Sequence, residues 1–587
     1  MVKVADGQTT ELGMVSPEFL ADNVRAAPFS PKGRSKVIRT FTKTRVAAGL
    51  LAAVAMAGGA VRAGQPKSRP ASAPATKPAE VNIKIGRATT YILGPLNADG
   101  TVNYVVALNA EAAKGVTPDN NAAVLLLRAL GPEVLDKSTR QRAFKALGIK
   151  PLPETGAYVT PIGKHAEPHE PNDPDKARAF RDKLDDARGA ARRYPWKTED
   201  HPTIAAWLTS NAEPLAQVAT ASKRPRYYMP LVSPANPPRM LDTLKPSLVN
   251  SAHCLAEALR TRAMLKAGSG DSAGARGDLL TLHRLARCIA RGPKVGDRLM
   301  AVGLDFRAST ADMWMAVSGE LPAAELMAYL ADLEALPPLP GFPECVDRGE
   351  RFFRLDFIQV CARQGLRKAL LAYTGQEMKG GDSDIRSVFA SLAERRVDWN
   401  VVLASENRWI DRIVQAMSKK TFAQRRRATD ALLAEAKQLR AQTTDRKKLA
   451  ARIRALEGMA PAEACAERGR MVADFLASVP PLDLPSEMLS PPDHQALQDC
   501  AAMFGQLGRL ALALAAFKAE RGEYPKALKE LAPAYVRAIP PDLFIDKPLH
   551  YAREGKGYCL YSVGPNMKDD GGKHDPDEGD VVIRAAR

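Results

Sequence analysis

Most of this chain has apolar residues at helical spacing, and only two short stretches have the period of two that a strand requires. The first is VNIKIGRATTYIL, residues 81–93, alternating and β-branched, which predicts one strand or hairpin arm. The second is the tail HYAREGKGYCLYSVGPNMKDDGGKHDPDEGDVVI, residues 550–583, which predicts a small sheet. Ala and Leu recur throughout, whereas Phe, Trp and Tyr make up only 6%. The expected fold class is therefore multidomain and mainly α, built from helical hairpins, with a small C-terminal α+β domain. The 587 residues suffice for several units with buried cores. A hydrophobic share of 45% with 26% charged residues excludes a wholly disordered or fibrous chain.

The first 63 residues read as a leader. Lys32, Arg34, Lys36, Arg39, Lys43 and Arg45 carry no acid among them, and the uncharged run Val46 to Val61 follows. Those residues span roughly 24 Å as a helix, short of a bilayer core of about 30 Å. Small residues around Ala63 complete a secretory pattern, with a short uncleaved anchor as the alternative. Export to the periplasm or envelope is the expected localisation. Residues 64–80 place Pro66, Pro70, Pro74 and Pro78 four apart, which forbids helix and favours an extended linker.

Beyond the linker, 81–235 reads as a mostly helical N-terminal region, with a helix opening at Pro118 and ending before Gly131. Within 236–335, residues 250–291 hold two apolar-periodic helices around a Gly-Ser-Gly-Asp turn. That pattern is a helical hairpin of tetratricopeptide style, with Ala275 and Leu279 as packing positions. In 344–475, Trp399 and Trp409 lie ten apart on one helical face and are expected to anchor the core. Residues 419–454 read as one long helix in which twelve basic residues face Asp430, Glu435 and Asp445. No aromatic platform or recognition motif accompanies it, so a solvated charged helix, or one resting on an anionic surface, is expected for Lys419–Arg454 rather than sequence-specific nucleic acid, with an anionic-polymer binder as an alternative function.

The seven cysteines form no CxxC pair and are expected to be buried free thiols. No HExxH or Walker pattern is present, and no residue is assigned a catalytic role. An exported hydrolase with its site among His253, His283 and Glu350 is the competing reading.

The last 98 residues, 490–587, carry the most ordered landmarks. A helix from Ala501 to Arg521 is followed by Tyr524-Pro525, then Pro541-Asp542, Gly557-Tyr558, Leu560, Ser562 and Gly564-Pro565-Asn566, with an acidic ending at 577–581. This succession resembles the globular part of type II secretion major pseudopilins. The stretch from Gly94 to Pro132 resembles a segment of uncharacterised exported bacterial proteins and implies export alone.

The pseudopilin resemblance implies a calcium ion in the loop after Gly564-Pro565, and the residues themselves suit one. Asn566, Asp569, Asp570, Asp575, Asp577, Glu578 and Asp580 crowd one loop, with Gly571, Gly572 and Gly579 allowing tight curvature. Ca²⁺ takes six to eight hard oxygen ligands in flexible geometry. An exposed acidic turn is the alternative. The resemblance also implies a polymerising N-terminal helix in the family, whereas here the helix reads as lacking a long apolar spine and as interrupted by Gly505 and Gly508. The expected function is thus a non-enzymatic envelope scaffold with protein partners, steadied by Ca²⁺.

The formal net charge of +18 divides unevenly. The leader carries +5 and the 419–454 segment +9.

Overall fold

A computed structural model describes residues 82–244, 248–317, 321–374, 385–478, 491–573 and 579–585. The leader, the linker, and Asp575, Asp577 and Glu578 lie outside the described residues. The N-terminal part holds α1 (Tyr104–Ala112), α2 (Ala122–Leu130), α3 (Arg140–Leu147), α4 (Ile162–Ala166), α5 (Pro174–Ala191), α6 (Pro202–Ser210) and α7 (Ala212–Ser222). The middle holds α8 (Leu248–Gly268), α9 (Ser272–Ile289), α10 (Val295–Val317), α11 (Ala323–Glu334) and α12 (Phe342–Cys345). Next come α13 (Arg351–Gln364), α14 (Leu366–Thr374), α15 (Ile385–Ala393), α16 (Trp399–Met417), α17 (Phe422–Thr444), α18 (Arg446–Ala455) and α19 (Pro461–Ser478). The chain ends with α20 (Pro491–Arg521) and the antiparallel sheet β1 (His550–Glu554), β2 (Gly557–Ser562), β3 (Val581–Ala585), in the order β1-β2-β3. The molecule is mainly helical with one small sheet near its C-terminus.

The hairpin of α8 and α9 forms where its turn residues dictate. Gly270 takes φ +81°, the Asp271 carboxylate caps the N–H of Gly274 at 2.8 Å, and Ala275 and Leu279 are fully buried. Helices α8 to α11 and α20 share one core. The longest packed pair is α10 against α20. A second core joins α13, α16 and α19 to α1, with Phe389 stacked on Phe475 at 4.3 Å.

Several expectations change. Residues 82–93 form a turn rather than a strand, because their backbone is engaged by helices. Asn400 accepts from the Lys84 N–H at 2.7 Å, and Asn407 and Tyr104 donate to the carbonyls of Thr89 and Thr90. Helix α2 starts at Ala122 rather than Pro118, since the Asn121 side chain caps the N–H of Ala123 and also holds Tyr228. Trp399 packs on the second core, but Trp409 is half-buried under the Arg412 guanidinium, 5.1 Å from its ring. Finally, Gly505 and Gly508 do not interrupt α20. They lie inside the helix facing Ser309 and Met313 of α10, while Leu507, Leu510, Leu512 and Leu514 give it a buried apolar spine. The part His494–Arg521 is apolar enough to cross a membrane by composition, yet 67% of its apolar window is buried inside the protein.

All seven cysteines are free thiols, as expected. Cys288, Cys345, Cys361 and Cys559 are buried, and Cys254, Cys465 and Cys500 partly so.

The 419–454 segment is two helices, not one. Asp445 has extended backbone and its carboxylate caps the N–H groups of Lys447 and Lys448 at 3.0 and 3.2 Å, ending α17 and starting α18. Asp445→Ala should cost about 1 kcal/mol in a denaturation experiment, the usual loss of a helix cap. No change in midpoint would show that the break has another cause.

Candidate functional site

The acidic loop is built between the ends of β2 and β3. Gly564 sits at φ +68°, and a Cβ there would collide with the carbonyl of Gly579, so the two ends of the loop meet only because position 564 has no side chain. Asp580 is 1% exposed. Its carboxylate accepts from the N–H of Gly572 at 2.7 Å and of Asp570 at 3.3 Å. Asp569 accepts from the Gly571 N–H at 2.9 Å and the Tyr561 hydroxyl at 3.1 Å. Asn566 donates to Asp570 at 2.9 Å, and its Oδ1 accepts from the Lys568 N–H at 2.8 Å.

Four of the seven expected oxygen residues, Asn566, Asp569, Asp570 and Asp580, are therefore gathered in one hydrogen-bonded loop. Burial pushes the Asp580 carboxyl up from its ordinary value. The backbone donors oppose this, and the negative charges of Asp570 and Asp569 add to it. An all-oxygen donor set suits a hard cation such as Ca²⁺ rather than zinc. Among the described residues, however, no three His, Cys, Asp or Glu side chains converge as a preformed metal cage.

The groups that a hydrolase would use do not meet. His283 bridges two carboxylates inside the bundle, Nδ1 to Asp305 at 2.6 Å and Nε2 to Asp312 at 2.9 Å. Tyr329 donates to Asp312 at 2.5 Å and Arg287 to Asp305 at 2.6 Å, which ties α9, α10 and α11 together. Burial alone would push the imidazole down, but the Asp312 and Asp305 charges override it and hold it up to about 9. Asp305 goes the other way: burial opposes its ionisation, and His283 and Arg287 bring it down to about 2. His253 faces Arg307 of α10, whose Nη1 donates to its Nδ1 at 2.6 Å. Glu350 is half-buried beside Arg354 and Glu406, and Arg354 is ion-paired to Glu406 of α16. Asp356 turns elsewhere and accepts from the Met240 N–H at 2.7 Å.

Part of the basic segment makes internal contacts, although ten of its twelve basic residues are exposed. Arg425 pairs with the largely buried Asp499 at 2.7 Å, Arg426 donates to the carbonyl of Pro565, and Arg452 pairs with Glu467 and Asp474 at 2.7 and 2.9 Å. The cations of α17 thus fasten the helix to α20 and to the acidic loop's root.

Sequence reasoning missed a cleft of about 320 Å³ whose lining includes Ser138, Tyr228, Asp242, Arg291 and Asp297. Its volume lies at the lower end for a small-ligand site. Asp297 is buried there and accepts from the Lys294 N–H at 3.2 Å. No signal in the sequence marks it, because its walls come from segments up to 185 residues apart in the chain, from Ala112 to Asp297. Comparison with known protein families, with curated proteins and with solved structures finds no match for this chain.

Proposed function

We propose that this chain is an exported, non-enzymatic interaction module of the cell envelope, with a pseudopilin-like C-terminal unit whose acidic loop holds Ca²⁺. The observation that carries this reading is the loop itself: Asp580, buried, lies within electrostatic reach of Asp569 and Asp570. A cation there would relieve carboxylate repulsion, with Asp575 and Asp577 available in the same loop to complete the oxygen shell. The order of helix, Tyr524-Pro525 turn and antiparallel sheet supports the resemblance to pseudopilins. His253, His283 and Glu350 each serve a different set of partners, which favours scaffold over hydrolase.

Export is tested by fractionating cells that make the full chain. The protein should appear with the envelope, shortened by about the leader's length, and removal of residues 1–63 should leave it in the cytoplasm. Equal cytoplasmic recovery of both forms would contradict the reading. Envelope partners are then sought by crosslinking the exported chain. Loss of the crosslinked species when calcium is chelated is the expected result.

A further inference from the structure

The walls of the cleft beside α10 are fastened by bonds that leave its interior free. The Tyr228 N–H donates to Asn121 Oδ1, and Asn121 Nδ2 donates back to the Tyr228 carbonyl, both at 2.9 Å. Arg291 donates to the carbonyl of Pro225, and Lys294 Nζ to that of Thr243 at 3.3 Å. The cavity is therefore a preformed one, as ligand sites usually are.

Charge inside it is balanced. Asp242 is held by the Arg239 guanidinium at 2.8 and 3.1 Å and accepts from the Ser233 hydroxyl as well. Asp297, 5% exposed, has the positive charges of Lys294 and Arg298 bearing on it. Glu133, Asp136 and Arg291 stand at the exposed rim, where water and salt screen them. Hydrogen bonds are what the interior lacks. The Asp297 carboxylate accepts one, from the Lys294 N–H at 3.2 Å. The hydroxyls of Tyr227 and Tyr228, residues 8% and 7% exposed, have no partner among the described residues. Both tyrosines line the cleft with Asp297, and Tyr227 lies within electrostatic reach of that carboxylate. Buried polar groups left unbonded are costly, so a ligand that completes them is held. Pro230, Val232 and Pro234 add apolar surface to the same cavity.

We propose that this cleft is a saccharide site, taking a neutral, multiply hydroxylated ring that is either a free sugar or the end unit of a glycan. With the interior charges already matched, an ion gains little there. Ring hydroxyls can donate to Asp297 and bond both phenols, while the C–H face of the ring lies on the prolines. A volume of about 320 Å³, at the small end for ligand sites, suits one ring rather than an extended chain. The site goes beyond the scaffold reading and does not depend on the acidic loop.

The test titrates the full chain, by calorimetry and thermal melting, with glucose, galactose, mannose and N-acetylglucosamine, and with ethanolamine and acetate as small ions. Saturable binding of at least one sugar and of neither ion is expected. Sugars also stabilise proteins nonspecifically by exclusion, so the variants carry the decision. Tyr227→Phe and Tyr228→Phe should each weaken the bound sugar about tenfold, the scale of one lost hydrogen bond. Without sugar they should melt no lower than the wild type, since the hydroxyl removed has no partner in the protein. A hydroxyl that serves the fold would instead lower the melting temperature and leave the affinity unchanged. Asp297→Asn, which keeps an oxygen for the Lys294 N–H, should weaken binding too. The tetramer of the bound sugar separates the sources: tighter binding than the monomer assigns a glycan end, equal or weaker binding a free sugar. The proposal is overturned if no sugar binds saturably, which assigns the cleft to ordered water. It is overturned equally if an ion binds in place of the sugars, or if the three variants bind sugar as tightly as the wild type.

Discussion

His283→Ala is expected to destabilise the protein by about 3–5 kcal/mol near neutral pH, the usual cost of removing one partner from a buried ion pair. The variant leaves Asp305 and Asp312 facing each other inside the helical body with only Arg287 and Tyr329 to compensate. The loss should also depend on pH, with a definite sign. His283 is held up to about 9 from an ordinary 6.5, so the folded state binds the proton more tightly than the unfolded chain. Its contribution is complete below about 6.5 and is lost as pH rises through about 9. At 1.36 kcal/mol per pKa unit it amounts to roughly 3 kcal/mol. Asp305 works in the opposite direction. Held down to about 2, it stabilises above the ordinary carboxylate value and loses that contribution as pH falls through about 2. Urea denaturation of wild type and His283→Ala at pH 6 and at pH 10 measures this. The gap between them should shrink at the higher pH, and an equal gap at both would show that His283 acts by packing alone.

Gly268→Ala should be comparably damaging, although Ala is ordinarily the better helix former by about 1 kcal/mol. Gly268 ends α8 where the chain around Trp196 crosses it. A Cβ at 268 would lie 2.7 Å from the Trp196 carbonyl carbon and closer still to its oxygen, and these are backbone atoms that cannot rotate away. Trp196 is itself buried and donates through Nε1 to the Thr261 carbonyl at 3.3 Å, so moving it disturbs the packing of α8. A loss of about 2–4 kcal/mol is expected from the strain and repacking involved. Gly277→Ala is the control, a helical glycine with open space around its Cβ, and should be neutral or slightly stabilising. Similar midpoints for the two variants would remove the close approach as the reason for glycine at 268.

How much could be read in the sequence depended on whether the controlling contact was local. The α8–α9 hairpin was legible because Gly270 and Asp271 set its turn within a few residues, and the tail's strands because their period of two is local too. The 81–93 stretch has that same period and is no strand, since Asn407, 318 residues from Thr89, engages its backbone. The break at Asp445 was written in the sequence as a capping residue, but a run free of Gly and Pro concealed it. The glycines of α20 looked like interruptions because the packing of that helix against α10, through Ser309 and Met313, is on another segment of the chain. The acidic loop was legible, being a cluster within 15 residues. The carboxylates around His283 and the polar groups of the cleft were not. Each set is assembled from several elements, and no single segment shows it.

The same distinction applies to the charge. Within the basic segment Arg425 and Arg452 are engaged with carboxylates of α20 and α19, while its other ten cations are exposed. Replacing Arg425, Arg426 and Arg427 together by Ala should therefore lower the melting temperature, because Asp499 loses its cation partner. Weaker binding to anionic vesicles with unchanged stability would assign these three arginines to a surface role instead.

The central claim concerns the acidic loop, and calcium titration of the full chain tests it most directly. Millimolar Ca²⁺ should raise the melting temperature saturably, Mg²⁺ at the same concentration should do so less, and Asp577→Ala with Asp580→Ala should abolish the calcium response. An unchanged melting temperature in calcium, or an equal rise in the double variant, would contradict it.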